Sequence, residues 1–332
     1  MALTQKILVV GGAGFIGSHM VWKLAEEDAQ VVTLDNLSTG HRDAVLSGVF
    51  VQGDCGDRDI LKKLFQDHQF DVVMHFASSI EVAESVRNPA KYYHNNVVKT
   101  LTVLDMMREF GVSKFIFSSS AAVYGNPEYI PIDEGHPKKP INPYGFSKLI
   151  IEQVLSDYDK AYGLKSICFR YFNAAGAHPD GILGERHNPE SHLIPLALDA
   201  AGNLSKKIMV FGADYDTPDG TCIRDYVHVQ DIVGAHWLGV KKLINGSDSC
   251  IYNLGNGNGY SVSNVIKSTK SITRLPIQVE KAVRRLGDPA QLVANSSLAK
   301  SELDWTPQYN NLDSIIEHAW KWKCISSTSL SI

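Results

Sequence analysis

No two cysteines in the chain have CxxC spacing; the five stand alone at 55, 168, 222, 250 and 324. This excludes a zinc ribbon and a disulfide scaffold, and it fits reduced thiols in the cytoplasm. Nor is there a run of the roughly 18 apolar residues that a membrane helix needs. The opening MALTQKILVV holds too short an apolar run for a signal peptide and leads straight into glycines, so it reads as a strand. Excess charge is also missing. A net charge of −4 leaves no footprint for nucleic acid or an anionic membrane. There is no internal repeat and no low-complexity block. What remains is a chain of 332 residues, 44% hydrophobic and 20% charged, long enough for a substantial globular core.

Lys6–Val10 (KILVV) is the kind of apolar run a buried parallel strand needs. GGAGFIGSH follows at once, with Gly11, Gly14 and Gly17 in GxxGxxG spacing, and MVWKLAEEDA continues as a helix. Strand, glycine turn and helix in that order mark a dinucleotide site. The glycines let the backbone approach a pyrophosphate, and the helix start offers free N–H groups and partial positive charge. The next strand, 31–34, ends in Asp35, 18 positions beyond Gly17. A carboxylate there can hold both ribose hydroxyls of NAD and repels the 2′-phosphate of NADP.

The alternation continues through strands 49–54, 70–78, 114–120 and 164–172, with helices at RDILKKLFQDH, about 89–110 and after Tyr144. This predicts an α/β fold with a doubly wound, mostly parallel sheet. In such sheets ligands bind beyond the carboxyl ends of the strands, where Asp35, Asp54, Ala77, Ser120 and Asn173 fall. Residues 1–173 read as the dinucleotide-binding domain and 174–332 mainly as a smaller substrate-binding region. The strand and helix within 226–260 can return to the main sheet. The tail beyond Cys324 reads as frayed.

Chemistry is carried by Tyr144-Gly145-Phe146-Ser147-Lys148, which opens an amphipathic helix after Pro143. Positions i and i+4 share a helix face, with Cβ atoms about 5–6 Å apart. An ammonium beside a phenol favours the phenolate, giving a base that can take a proton from an alcohol. Read alone, the pair is an ordinary surface Tyr–Lys contact. The glycine turn, Asp35 and the serine run 118–120 raise it to a site. Arg224 and Arg285 lie in polar loops, and planar forked donors of this kind match a diphosphate. Their plain alternative is ion pairing with Asp225 and Asp288.

The glycine loop, Asp35, the serine run and the Tyr–Lys pair together resemble the extended short-chain dehydrogenase/reductase family over nearly the whole chain. DNLSTG (35–40), YYHNNV (92–97), SSSAAVYG (118–125), PYGFSK (143–148), RYFNAAGAHPDG (170–181), GTCIRDYVHV (220–229) and IYNLGNGNGYSV (251–262) resemble its UDP-glucose 4-epimerase branch, an activity of galactose metabolism. The resemblance implies NAD as cofactor, a UDP-sugar as substrate, a homodimer built on the helices near 89–110 and 143–160, and no metal. It implies Tyr144 as base, Lys148 as the residue that depresses its pKa and holds the nicotinamide ribose, and Ser120 as proton relay. It places Gly11, Gly14, Phe15, Ile16, Gly17, Asp35, Asn36, Asp54, Cys55, Phe76, Ala77, Asn95, Ser118 and Tyr171 around the cofactor, with Asp54 near adenine and Asn95 in a supporting network. On the substrate side it implies Asn173, His192, Leu193, the Arg224–Arg285 diphosphate clamp, Phe211 near uracil, Asp288 at the uridine ribose, and Leu292 gating the sugar. Three positions depart from the common pattern: Ile80, His192 and the mid-sized Leu292. Leu292 leaves hexoses, N-acetylhexosamines and pentoses open. A 4,6-dehydratase would need an acid and a base just after the serine, where Ala121 and Ala122 stand.

Overall fold

The computed structural model describes residues 4–285 and 288–329, with side chains described to residue 327. Leu286 and Gly287 of the expected RRLGDPAQ loop, and the last three residues of the tail, lie outside the described residues. The first half alternates strands β1 (Lys6–Val10), β2 (Gln30–Asp35), β3 (Val49–Gln52), β4 (Val72–His75), β5 (Lys114–Ser120) and β6 (Lys165–Tyr171) with helices α1 (Phe15–Glu26), α2 (Arg58–Asp67), α3 (Val82–Arg87), α4 (Pro89–Tyr92), α5 (Lys99–Glu109) and α6 (Pro143–Tyr162). The second half holds β7 (Asn173–Ala175), α7 (Leu193–Gly202), β8 (Lys207–Phe211), β9 (Ile223–His228), α8 (Val229–Ile244), β10 (Cys250–Leu254), β11 (Gly259–Ser261), α9 (Val262–Thr273), β12 (Gln278–Ala282), β13 (Gln291–Leu292), α10 (Ser297–Leu303) and α11 (Leu312–Ser329).

Seven strands form one parallel sheet in the order β3-β2-β1-β4-β5-β6-β10. Chain order reverses direction at β1, so β1 and β4 flank the crevice where such sheets take ligands. Strand residues on both faces are apolar because helices cover both. Ile7, Val9, Met74, Ile116 and Ile167 pack with α1 and α8 on one side. Leu8, Val10, Val73, Phe115 and Phe117 pack with α2, α5 and α6 on the other. β10 comes from the second half of the chain yet forms the edge of this sheet, and α8 lies against α1. A smaller sheet, β11-β9-β13 with β7 also on β9, and a parallel β8–β12 pair make the rest.

Two expectations need correction. The helical stretch 89–110 is not one regular α-helix: residues Tyr93–Val98 make a π turn between α4 and α5. Such a turn holds an extra residue and re-aims the side chains beside it. The tail beyond Cys324 does not fray there, because α11 continues to Ser329. The Ser326 and Ser327 hydroxyls donate to the Lys323 carbonyl, and a Cβ built on Gly181 would meet Ile325 at 2.5 Å, so this turn seats on the 178–184 loop.

Candidate active site

The glycine turn is built for close approach. Gly11 has φ +80°, and a Cβ there would lie 2.4 Å from the Ala77 nitrogen. At Gly17 a Cβ would sit 2.1 Å from the Gly11 carbonyl, so only glycine lets α1 start so close to the turn. Gly14 caps α1 with no side-chain hydrogen bond, and no acidic residue stands in the first turn beside Phe15 and Ile16. The helix start therefore keeps its partial positive charge for an anion. Asp35 at the end of β2 accepts from the Ala13 N–H (2.9 Å) and the Leu37 N–H (2.8 Å). These two bonds aim a nearly buried carboxylate across the turn and leave acceptor capacity on both oxygens. A dinucleotide fits this cradle: backbone room, a positive helix end and a ribose acceptor.

Asp54, beyond β3, accepts from Lys99 Nζ (2.6 Å), Asn36 Nδ2 (2.9 Å) and the Gly56 N–H (2.8 Å). Burial alone would raise its pKa, but these partners outweigh it and hold the carboxyl below its usual value. Cys55 beside it is buried and its thiol is pushed up to about 12, so it is inert packing. Ala77 and Phe76 follow β4, and Phe76 lies 5.1 Å from the His236 ring. Tyr171 at the end of β6 shares a 2.7 Å hydrogen bond with His236 Nε2.

The reactive group forms where β5 meets α6. Asn142 caps α6 by accepting the Gly145 N–H (2.9 Å), and Pro143 occupies its first turn, which fixes where Tyr144 emerges. Gly145 is needed for closeness, since a Cβ there would meet the Ala122 carbonyl oxygen at 2.4 Å. Ser120 stands beside Tyr144, and the Ser120 oxygen accepts the Ala122 N–H. Lys148 Nζ donates to the Ser118 carbonyl (2.8 Å) and lies 5.8 Å from the Tyr144 ring centroid.

Burial opposes the acidity expected of this pair. It pushes the phenol of Tyr144 up, with Ser120 offsetting part of the rise. It also carries the Lys148 ammonium down to about 7. Desolvation acts on both partners and favours the neutral form of each.

Behind the pair is a buried polar chain that motif reading passed over. Ser119 donates to Glu152 (2.5 Å), and Glu152 takes Arg170 by two bonds, Nε 2.9 Å and Nη2 2.6 Å. Arg170 also donates to the Tyr124 hydroxyl (2.8 Å), which donates to Asn253 Oδ1 (2.7 Å). Strand alternation and a chemistry-bearing loop on each side could have flagged Arg170, an arginine inside an apolar strand. Asn95, expected in the supporting network, is only its outer member and donates to Asn96 Oδ1 (3.2 Å). Asn96 is the buried clasp: it accepts the Ser79 N–H and donates to the Ser79 carbonyl and to Ser147 Oγ.

The substrate-side residues gather around β9. Arg224 pairs with Asp288, and its Nη1 donates to the Ile223 carbonyl (2.7 Å). Asp225 is not its partner. It is buried and accepts from the Asn256, Gly257 and Ala294 N–H groups, with burial raising its pKa to about 6. The Arg285 guanidinium lies over the Phe211 ring, 4.1 Å from its centroid. Leu292 pairs with Arg224 in register and packs on Ala121 and Val123, just beyond Ser120. It thus joins the two groups of residues. Asn173 pairs with Tyr226, and Leu193 packs between α7 and the β8 side chains. His192 turns instead to another group: its ring bonds to Glu185, and Glu185, His187, Glu190 and His192 form a cluster of their own. Burial would raise the Glu185 carboxyl, but His192 and His187 outweigh it and hold it at about 2. Ile80 is half exposed beside the Ser79 clasp.

A parallel sheet with a glycine turn at its switch point and a Ser–Tyr–Lys group at the end of β5 defines an NAD(P)-linked oxidoreductase-like site. The chain belongs to the NAD dependent epimerase/dehydratase family, matched over residues 7–255. Within that family it is similar to UDP-glucose 4-epimerases. The one from Halalkalibacterium halodurans is 49% identical over 316 residues, 95% of each chain. The crystal structure of UDP-glucose 4-epimerase from Brucella ovis in complex with NAD superposes with a TM-score of 0.93 at 48% identity, covering 96% of this chain and 98% of that one. That from Bifidobacterium longum with NAD+ and UDP gives 0.92 at 37%, covering 97% and 99%.

Proposed function

We infer that the chain is an NAD-dependent UDP-glucose 4-epimerase, interconverting UDP-glucose and UDP-galactose through a 4-keto sugar. The observation that carries this reading is the grouping of Tyr144, Ser120 and Lys148 where β5 meets α6, with Lys148 held on the Ser118 carbonyl, beside the crevice formed by the Gly11–Gly17 turn. Bound nicotinamide supplies a reversible hydride acceptor, which lets an alcohol carbon be oxidised and then reduced on its other face. The chain's own residues do the rest. Tyr144 Oη takes the proton of the sugar 4-hydroxyl, with Ser120 Oγ sharing it, and returns it after the sugar has turned. Lys148, held on the Ser118 carbonyl, places its amine beside the Tyr144 ring. Asp35 selects the ribose hydroxyls, and Asp54, held by Lys99, supports the adenosine side.

The remaining assignments are proposals of the same kind. Gly11, Gly14, Phe15, Ile16 and Gly17 hold the pyrophosphate, and Asn36, Cys55, Phe76, Ala77, Asn95, Ser118 and Tyr171 line the cofactor. Arg224, Arg285, Asp288 and Phe211 grip the uridine diphosphate, so the sugar is held least and is free to rotate. Asn173, Leu193 and Leu292 border it. Residues 1–173 with α8 and β10 serve the cofactor, and most of the rest serves the nucleotide-sugar. We also propose a homodimer and a cytoplasmic location. Exposed Val86, Tyr93, Val98 and Phe146 on α3, the π turn and α6 favour the first, and the scattered cysteines, none in CxxC spacing, favour the second. Among the described residues no helix is long and apolar enough to cross a membrane.

The test is to incubate the purified protein with UDP-galactose, and in parallel with UDP-N-acetylgalactosamine, without added NAD. UDP-glucose should form in the first. Tyr144→Phe should lower kcat at least ~10³-fold, within the range of a lost acid–base group, while the bound NAD content stays unchanged. Full turnover in that variant rejects the assignment.

A further inference from the structure

We propose that Glu185, His187, Glu190 and His192 form a binding site for one divalent cation of the zinc class, which pins the segment between β7 and α7. One donor atom from each of the four lies within 4.8 Å of every other. His187 Nδ1 is 3.3 Å from Glu185 Oε1 and 3.6 Å from Glu190 Oε1, and His192 Nδ1 contacts the same Glu185 oxygen. Zinc–nitrogen and zinc–oxygen bonds of about 2.0–2.2 Å place tetrahedral ligand atoms about 3.3–3.6 Å apart, so the set is near ligation spacing before any ion enters. Two imidazoles with two carboxylates suit zinc and its first-row neighbours, not magnesium or calcium, which favour all-oxygen sites.

The surroundings favour a cation over a simple ion-pair group. The Glu185 carboxylate is 5% exposed, and among the described residues no lysine or arginine reaches it. The adjacent Arg186 turns away to Asp43. A buried carboxylate faced only by imidazole nitrogens is the arrangement that a soft-to-borderline cation completes. Glu190 is oriented by the N–H groups of Ser191 (2.8 Å) and His192 (2.9 Å) on its Oε1, the oxygen that faces His187. The outer, half-exposed His192 gives an entry path.

The location gives the ion a task. Gly184, just before the cluster, is pressed against Trp322 of α11. The Arg186 carbonyl bonds to His41 Nε2 (3.1 Å), Ser191 Oγ donates to Glu81 (2.6 Å), and His192 begins α7. The segment thus touches the loops after β2 and β4 and the helix that carries Leu193. A cation would lock those attachments into one geometry. This inference stands apart from the proposed reaction, and either can fail alone.

Zn²⁺ and Co²⁺ titrations of the whole protein test it, with a chromophoric chelator as competitor and Mg²⁺ as a control. The expected result is one Zn²⁺ per chain, intense visible Co²⁺ bands of a four-coordinate site, and no competition from Mg²⁺. His187→Gln combined with Glu190→Gln should weaken Zn²⁺ binding by at least ~100-fold, given that loss even of outer partners costs 10–100-fold. The Co²⁺ spectrum of the unmodified protein keeps the test independent of whether that variant folds. Binding no tighter than in the double variant, or only the weak bands of octahedral Co²⁺, would overturn the proposal and leave an ion-pair cluster.

Discussion

Lys148 shows what the site asks of single residues. Its folded-state pKa near 7 lies below the ordinary 10.5, because burial disfavours the ammonium more than Glu152 favours it. The unfolded chain therefore binds more protons between pH 7 and 10.5, so this residue makes stability rise with pH across that window and weighs most against folding below pH 7. Lys148→Met should raise the melting temperature, by at least about 2 °C at pH 6–7 and less near pH 10, while turnover falls. Melting curves at several pH values check the slope as well as the sign. Arg170 is the opposite case. It is 1% exposed and doubly bonded to Glu152, which is 4% exposed. Arg170→Met would strand a buried carboxylate and should cost about 3–5 kcal/mol by denaturant unfolding, with Glu152→Leu added in the same chain recovering much of it.

Elements set where those residues can stand. The α1 start tolerates no side chain at Gly17, where the Gly11 carbonyl would be 2.1 Å away. Gly17→Ala should strip bound NAD from the purified protein, read by absorbance after acid release, with more effect on cofactor content than on folding. Features of this sort were legible in the sequence because they are local: a glycine spacing, an apolar run, a carboxylate at a strand end. The doubly wound, mostly parallel sheet followed from the same periodicities. What was not legible depends on contacts far apart in the chain or on a change of helical period. The π turn at Tyr93–Val98 moves the buried face by one position, so Asn96, not Asn95, becomes the clasp. Arg170 reads as an odd arginine in a strand until Glu152, 18 residues earlier, is placed opposite. The Tyr144 phenol was expected to be acidic from its neighbour alone. Burial, which no spacing reveals, pushes the phenol the other way.

At the scale of the whole molecule, the exposed apolar residues of α3, the π turn and α6 are where the proposed dimer would form. With Val98→Asp and Phe146→Asp combined, light scattering should drop from twice 36.6 kDa to the single-chain mass. An unmodified protein already at 36.6 kDa would refute the dimer. The topology also has a consequence for synthesis. The cofactor-side sheet is closed by β10, which pairs Cys250–Leu254 with Ile167–Tyr171, roughly 80 residues earlier. At about 5–20 residues per second the ribosome needs about 4–16 s to make that stretch. For that interval the nascent chain presents a bare hydrogen-bonding edge, the kind of surface that recruits chaperones or another copy in the polysome.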